Sequence, residues 1–391
     1  MKIRSSVQPA GFSLVELMIS IVIGLLALLF AVRIVAGSEQ AKGRELGGSD
    51  SMQNGMLALF SMSGDAGQAG FGLNDPILTG CDTIFNDTGG YTLAPATRGT
   101  ATVHPLAPVV IESNGQNPDR ISFYSGGSVG GTPSMELSTN YSSGTQISVA
   151  MVPFGFNQGD VVVVAPEQAG GQCALAQISN NPLKSPPPPN PQYLAIAQGG
   201  GYRFNSGQLG ANYTAGSARV FALGPAAKLA FHSWSVGDGY LQLSSTDMAG
   251  AGATPTSVAD NIVSIKAEYG FDTRPGASFV PGSGMVIGQW SPTMIDADGD
   301  GTVGGAADYG RIAAVRLAVV ARSSMPEIPG NGASCTTTTA LPVVFGSAAG
   351  AAAAPITVNV AVSGDPTDWH CYHYRVFETI VPLRNFGWRP S

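Results

Sequence analysis

The stretch that decides the fold is Gly11-Phe12-Ser13-Leu14-Val15-Glu16-Leu17, which opens an apolar run that continues to Ala36. Between Phe12 and Ala36 the only charged residues are Glu16 and Arg33. At 1.5 Å of rise per residue, a helix over this run would be about 35 to 40 Å long, which exceeds the roughly 30 Å hydrocarbon core of a bilayer. The sequence therefore predicts a membrane-spanning helix near the N-terminus.

A short polar leader precedes the apolar run. It contains Lys2 and Arg4 and ends at Ala10-Gly11. An ordinary secretory signal has its small-residue cleavage site after the apolar region, whereas here the small residue lies before it. Cleavage at Gly11 would therefore leave the hydrophobic helix attached to the mature protein.

Glu16 is the unusual residue of the apolar run. A carboxylate in a membrane helix costs on the order of 2.5 to 3.5 kcal/mol unless it has a partner. Cleavage after Gly11 would create an α-amino group on Phe12, about one helical turn from Glu16, and the amine of a neighbouring subunit could neutralise the carboxylate as well. The alternative is a plain membrane anchor that tolerates a carboxylate near its end.

These features together resemble the N-terminus of type IV prepilins, in which a glycine, an aromatic residue, a glutamate at the fifth mature position and an apolar helix follow in that order. The resemblance implies that a prepilin peptidase cuts between Gly11 and Phe12 and that Phe12 is N-methylated. It also implies that Glu16 sets the register of the subunit in a filament.

The C-terminal part of the chain carries a second resemblance, to PilW-type minor pilins. The similar segments are Val263–Asp272, Val315–Ser323 and Tyr374–Asn385. Together with the prepilin head, the resemblance covers both ends of the chain, whereas the middle, about residues 80–255, matches no known segment.

The two resemblances imply a structural protein and no enzymatic activity: a minor pilin that helps to prime type IV pilus assembly, near the filament tip. The implied partners are other minor pilins, the major pilin, prepilin peptidase, the inner-membrane assembly machinery and a tip adhesin. The protein would lie in the inner membrane before assembly, with its head on the periplasmic side, and afterwards in the extracellular pilus. Two alternatives stay open: a type II secretion pseudopilin, and a membrane-tethered adhesin or hydrolase that uses the middle region.

The rest of the chain predicts an α+β protein, with a leader over 1–11, the helix over 12–70 and a β-rich globular pilin-like head with long loops over 71–391. The 391 residues include 52 Gly and 27 Pro, and only 12% are charged, which favours turn-rich β structure. The proline-rich segment 181–192 is a candidate lobe boundary. The net charge of −7 argues against nucleic-acid binding, because the protein's field repels phosphates.

The second half of the predicted helix contains several large apolar residues at helical spacing. They are Met52, Met56, Leu59, Phe60 and Met62. Residues three and four positions apart share one helix face, so we expect this stripe to face the core of the head. The helix is expected to end at Gly70-Phe71-Gly72.

The four cysteines contain no CxxC spacing, which disfavours a zinc ribbon or a thioredoxin-like site. An even, widely spaced set indicates two disulfides in an oxidising compartment. The pairing that we expect is Cys335 with Cys371, and Cys81 with Cys173.

A candidate calcium loop begins at Asp296. Asp296, Asp298 and Asp300 alternate with small residues, Gly301 occupies the sixth position, and Thr302 would offer its backbone carbonyl. This pattern is that of the first part of an EF-hand loop. The twelfth position is an alanine, so Asp308 is the next available carboxylate, and flanking strands would make the segment a hairpin loop. The alternative is a turn whose aspartates cap their own backbone.

Other motifs match known signatures by chance. Gly126–Gly130 fits GxSxG but is followed by Gly131-Thr132-Pro133, which cannot open the required helix. Gly299–Gly304 fits GxGxxG but places Asp300 where a pyrophosphate would lie. His370, Cys371 and His373 have the residue types of a soft metal site, but alternation along a strand would place only two of these ligands on one face. His104 and His232 have no patterned partner, so we assign them no acid–base role.

Overall fold

A computed structural model describes residues 13–128, 132–184, 192–329, 332–346 and 354–387. The leader, the cleavage position Gly11-Phe12, the polyproline run Pro186–Pro189 and most of the alanine-rich segment lie outside the described residues. The chain divides into two compact units, Met1–Asp50 and Ser51–Ser391. This division falls within the first helix.

The helix α1 (Leu14–Gln68) contains the apolar run. Its segment Leu14–Val35 has a mean hydropathy of 2.7, has no buried residues, and is long and apolar enough to cross a membrane. The helix ends where the sequence predicts: Gly70 and Gly72 adopt φ values of +81° and +70°, which glycine tolerates without a steric penalty.

The prediction for the methionine stripe of α1 is confirmed for Met62, which is buried, and for Leu59, which packs against the core, but it is wrong for the other three residues. Met52, Met56 and Phe60 are 49%, 55% and 77% exposed. The buried positions on this part of the helix carry mostly small side chains: Ser51, Gly55, Ala58, Met62 and Ala66. The reason is close packing, because a Cβ on Gly55 would lie only 2.1 Å from the ring of Phe377. The helix packs on the head mainly through small residues and Met62, and it exposes Met52, Met56 and Phe60.

The rest of the described chain is β-rich, with 21 strands. The first eleven are β1 (Cys81–Ile84), β2 (Ala96–Arg98), β3 (Ala101–Val103), β4 (Pro105–Leu106), β5 (Val109–Glu112), β6 (Arg120–Ser125), β7 (Ser134–Glu136), β8 (Gln146–Val149), β9 (Asp160–Pro166), β10 (Gln172–Gln177) and β11 (Gln192–Ala195). The others are β12 (Ala218–Pro225), β13 (Ala230–Gly237), β14 (Tyr240–Ser245), β15 (Thr256–Asp260), β16 (Ile262–Phe271), β17 (Gln289–Ser291), β18 (Ile312–Arg322), β19 (Val343–Val344), β20 (Ile356–Thr357) and β21 (Tyr374–Pro382). Two short helices, α2 (Ala306–Tyr309) and α3 (Arg384–Gly387), complete the head.

Three sheets form the framework of the head. A six-stranded sheet has the order β4-β1-β10-β9-β12-β7, a five-stranded sheet β15-β14-β13-β6-β5, and a four-stranded sheet β17-β16-β18-β21. The pairing is antiparallel except for β1 with β10. The α+β class and the long N-terminal helix with a β-rich head are therefore as predicted.

The sheets enclose separate hydrophobic cores. The largest joins Ala58 and Met62 of α1 to residues of all three sheets, such as Phe231 and Leu317. A second core lies along the six-stranded sheet and includes both Ile178 and Leu194. Residues on both sides of the segment 181–192 therefore belong to one core.

Two predicted strands in the C-terminal loops differ from the structure. The apolar and alternating residues 356–362 predict a strand, but only β20 forms there, and Trp369–Cys371 forms a 3₁₀ turn instead of the strand that the sequence analysis assumes. The Asp368 side chain accepts a hydrogen bond from the backbone N–H of His370 at 2.8 Å, and this cap favours the turn.

Candidate functional site

Glu16 lies in the first turn of α1. A carboxylate is favoured there because the first backbone N–H groups of a helix lack helical acceptors and carry partial positive charge. Apart from Glu16 itself, Ser20 and Arg33, the side chains of Leu14–Val35 are apolar or absent, and all positions of this segment are exposed. This part of the helix therefore presents a hydrophobic surface with one acidic group at its start.

The acidic loop, defined as residues 296–308, brings three of the predicted ligands together. Asp296, Asp298 and Asp308 each offer a carboxylate oxygen, and these atoms lie within 4.8 Å of one another. The other two predicted ligands, the Thr302 carbonyl and Asp300, lie near Gly305. A Cβ on Gly305 would lie 3.4 Å from the Thr302 carbonyl oxygen, 3.6 Å from Asp308 Oδ2 and 4.0 Å from Asp300 Oδ2. A side chain at 305 would occupy the space that these oxygens share.

The same aspartates also cap the backbone of the loop, as the turn alternative predicts. Gly301 N–H donates to Asp296 at 2.9 Å, Asp300 N–H to Asp298 at 3.1 Å, and Thr302 N–H to Asp300 at 2.7 Å. A carboxylate has about four acceptor positions, so these bonds leave oxygen lone pairs for a cation. The residues present therefore fit a calcium ion as well as a self-capped turn.

Asp308 is the buried member of the loop. Burial raises the pKa of its carboxyl group, the backbone N–H groups of Ala297, Asp298 and Gly305 lower it, and the negative charge of Asp298 raises it again. Asp308 comes from α2, whose Gly305 N–H it accepts at 2.9 Å. A short helix thus positions the fourth carboxylate of the predicted set.

The prediction that this loop closes a β-hairpin is wrong. The loop leaves β17 and leads into β18, and both strands pair with β16 in the order β17-β16-β18. Both strands run antiparallel to β16 and therefore parallel to each other, so the chain between them forms a crossover connection and not a hairpin. This crossover exists because β16 occupies the position between the two strands that are neighbours in sequence.

A cluster that the sequence did not reveal connects α1 to the five-stranded sheet. His232 Nδ1 lies 2.8 Å from Asp65 Oδ2, and His232 Nε2 lies 2.9 Å from Asp247 Oδ1. Trp234 Nε1–H donates to Asp65 Oδ2 at 2.8 Å. Burial lowers the pKa of His232, but the hydrogen bonds to Asp247 and Asp65 outweigh it and raise the pKa to about 9.

Sequence reasoning could not find this cluster because Asp65 and His232 are 167 positions apart. No motif joins them. The only local signal is the alternation of His232 and Trp234 along β13, which places both side chains on one face of the strand.

Both predicted disulfides are present. Cys81 is bonded to Cys173 and Cys335 to Cys371, with Cα–Cα separations of 5.8 and 4.9 Å. The first joins β1 to β10, and the second ties the loop after β18 to the 3₁₀ turn before β21. Each bond is expected to contribute about 2 to 4 kcal/mol to stability.

The histidines near Cys371 have local partners. His370 Nδ1 contacts Asp368, and His373 Nε2 lies 3.1 Å from Glu327. Among the described residues, the acidic loop brings together the one group of three side chains suited to a metal ion. His104 lies near the edge of the six-stranded sheet, where its backbone N–H donates to Asp82.

The chain joins an apolar N-terminal helix to a β-rich head. Residues 234–385 match the family model PilW, the Type IV Pilus-assembly protein W. The match spans less than half of the chain and includes all three segments on which the PilW-type resemblance rests, which is thereby confirmed. The matched family is described by its role in type IV pilus assembly, so the C-terminal part of this head is similar to part of a pilus-assembly protein.

A type IV-like pilin, TTHA1219 from Thermus thermophilus, is similar at 12% sequence identity, covering 59% of this chain and 86% of its own, with a TM-score of 0.18. A TM-score this low adds nothing to the case for the fold. Comparison with curated proteins finds no match.

Proposed function

We propose that this protein is a minor pilin that takes part in priming type IV pilus assembly, near the filament tip. The observation that carries the proposal is the connection, in one chain, of an exposed apolar helix with Glu16 in its first turn to a head whose residues 234–385 match PilW. An apolar segment of this length can be stored in a membrane and later packed against other apolar helices.

In this proposal, prepilin peptidase cuts between Gly11 and Phe12, and Phe12 is N-methylated. The protein waits in the inner membrane with its head on the periplasmic side, a placement that the two disulfides support because thiols oxidise there. Glu16 then pairs with the amine of a Phe12-type N-terminus and sets the register of the subunit. The partners are other minor pilins, the major pilin, the assembly machinery and a tip adhesin.

The outer face of α1 supports incorporation into a filament. Met52, Met56 and Phe60 are about half to three-quarters exposed, although their positions on the helix lie beside a fully buried small-residue face. Large exposed apolar side chains in a row indicate a surface that is covered by a partner. Neighbouring pilin helices would supply that cover.

Crosslinking mass spectrometry on sheared pili tests the proposal. We expect peptides of this protein in the pilus fraction, crosslinked to other pilins, and a mature N-terminus at N-methylated Phe12. Loss of Lys2 and Arg4 with the leader would change the net charge from −7 to −9, because two of the 19 basic residues are removed. A mature chain that begins after Ala36, or a deletion that abolishes enzyme secretion but leaves pili unchanged, would contradict the proposal.

We further propose that the acidic loop binds calcium, with Asp296, Asp298, Asp300, Asp308 and the Thr302 carbonyl as ligands. The supporting observation is the approach of three carboxylates to within 4.8 Å. Without a bidentate glutamate, the expected dissociation constant is about 10⁻⁴ to 10⁻³ M. Calcium at roughly 100 times that constant would add about 2.7 kcal/mol of stability.

Thermal unfolding of the full-length protein in detergent tests the calcium proposal. We expect the melting temperature to rise with calcium and not with magnesium, whose stricter octahedral geometry the loop does not supply. Asp298→Ala should abolish the rise. Asp298→Asn is the sharper variant, because its side-chain oxygen can still accept from Asp300 N–H while the charge is lost. No shift in wild-type protein up to about 10 mM calcium would leave the loop a self-capped turn.

A further inference from the structure

Arg98, at the end of β2, holds together three segments that are distant in sequence. Its Nε–H donates to the Gly304 carbonyl at 3.2 Å, its Nη1–H to the Gly170 carbonyl at 2.8 Å, and its Nη2–H to the Gly80 carbonyl. Gly304 belongs to the acidic loop. The side chain is partly buried, and a hydrogen bond is electrostatically stronger there than in bulk water.

The two other carbonyls belong to the chain segments that lead into one disulfide. Gly80 directly precedes Cys81, and Gly170 lies three residues before Cys173. Both glycines also touch α2: a Cβ on Gly80 would lie 3.0 Å from Ala306 Cα, and a Cβ on Gly170 would lie 3.2 Å from Ala306 Cβ. The segments that the disulfide joins therefore form the surface on which the end of the acidic loop rests.

The β2–β3 hairpin also contacts the acidic loop directly. Gly99 N–H donates to the Val303 carbonyl at 2.9 Å. A Cβ on Gly304, whose φ is +75°, would lie 2.2 Å from the Thr97 carbonyl oxygen, so only glycine fits this approach. Residues 303 and 304 are thus fixed to the hairpin that carries Arg98.

We propose that Arg98 couples the Cys81–Cys173 disulfide to the acidic loop, so that oxidation of these two cysteines is required for the loop to be ordered. The bond fixes β1 next to β10, where Thr83 is in register with Cys173. This pairing sets the distance between the Gly80 and Gly170 carbonyls. Without the bond, only the β1–β10 backbone pairing, which includes the hydrogen bond from Asp82 N–H to the Gly171 carbonyl at 3.1 Å, keeps the two carbonyls together. We expect the distance between them to vary more, so that the guanidinium holds both less firmly together with Gly304.

The coupling is a property of the fold and does not rest on calcium binding. If the loop does bind calcium, thermodynamic linkage requires that reduction of the disulfide weaken the binding and that bound calcium make the disulfide harder to reduce, by the same factor. A chain that has not formed this bond would then be unable to complete the loop, which would make loop order a marker of oxidative maturation.

Hydrogen exchange with mass spectrometry on the full-length protein in detergent, without added calcium, tests the coupling. In a Cys81→Ser/Cys173→Ser variant we expect at least about tenfold faster exchange of the loop amides of Gly299, Gly301 and Gly305. The matched control is Cys335→Ser/Cys371→Ser, which removes the other disulfide and should leave these amides at the wild-type rate. The strands β16 and β18 report in both variants on whether the head remains folded.

Arg98→Lys provides a second and independent measurement. A lysine has the charge but cannot donate to three carbonyls in fixed directions, so we expect faster exchange in the loop while both disulfides remain formed. The same variant should make Cys81–Cys173 more easily reduced by dithiothreitol than in wild-type protein. If the cysteine variant does not accumulate, Arg98→Lys decides the question. Wild-type exchange of the loop in Arg98→Lys, or equal loosening in both double-cysteine variants, would overturn the proposal.

Discussion

At the scale of single residues, Glu16 places a carboxylate in an apolar helix, where we expect it to pair with the amine of an N-terminus. A carboxylate in an apolar helix is costly unless it is neutralised, so its presence indicates a partner. We expect Glu16→Ala to be processed and to stay in the membrane, but to be depleted from sheared pili by at least about tenfold, since the lost pairing energy is a few kcal/mol. Immunoblots of pilus and membrane fractions measure the ratio.

Ser20→Ala is a suitable control for Glu16→Ala. Ser20 Oγ–H donates to the Glu16 carbonyl at 2.7 Å, one turn further along the same helix, and its removal should leave incorporation unchanged. Normal incorporation of Glu16→Ala would refute the pairing argument.

His232 gives the head a specific pH dependence. Its pKa in the folded protein is about 9 against an ordinary value of 6.5, so the protonated imidazole stabilises the fold fully below about pH 6.5, and this contribution is lost as pH rises through about 9. The size is on the order of 2 to 3 kcal/mol. Urea unfolding at pH 6.5 and 9.5 should show this loss in wild-type protein.

The difference between wild-type protein and His232→Gln isolates this effect from other groups that titrate above pH 9. We expect the variant to be less stable at pH 6.5 and similar to wild type at pH 9.5. A difference that stays constant with pH would contradict the paired-imidazolium interpretation of the cluster with Asp65 and Asp247.

At the scale of elements, the second half of α1 packs closely on the head because its buried face carries mostly small residues. Gly55→Ala would place a Cβ 2.1 Å from Phe377 Cε2, and overpacking of this kind costs about 1 to 3 kcal/mol. Gly64→Ala is the matched helical control, because nothing lies within 4 Å of its Cβ. Alanine there should stabilise the protein by about 0.5 to 1 kcal/mol. Chemical denaturation compares the two variants, and equal effects would refute the close packing of α1 on β21.

At the scale of the whole molecule, two disulfides hold a head that has many long loops. We expect loss of either bond to cost about 2 to 4 kcal/mol, since each restricts the unfolded chain. Removing Cys81–Cys173 should cost more than removing Cys335–Cys371, because the separations are 92 and 36 residues and the entropic effect grows with loop length. Thermal unfolding of the two double-serine variants measures the order, and peptide mapping that finds four free thiols in wild-type protein would contradict both bonds.

The sequence by itself determined the features that depend on neighbours along the chain. The apolar run with Glu16 predicts a long helix, because length and hydrophobicity are local properties. Short apolar or alternating runs over 262–269, 312–321 and 374–381 predict strands, and β16, β18 and β21 form at nearly these bounds. The spacing of Asp296, Asp298 and Asp300 predicts the acidic loop, because residues this close must share one turn.

Only the tertiary structure decided the features that depend on distant segments. The contact of Gly55 with Phe377 determines which face of α1 is buried. Helical periodicity does not encode that contact, so the spacing of the methionine stripe did not predict that Met52, Met56 and Phe60 are exposed. The contact of His232 with Asp65 joins positions 167 residues apart. The bonds from Arg98 to the carbonyls of Gly304, Gly170 and Gly80 span 206, 72 and 18 residues. Such contacts are set by how the sheets pack, and a pattern read along one chain carries no information on which distant groups the packing brings together.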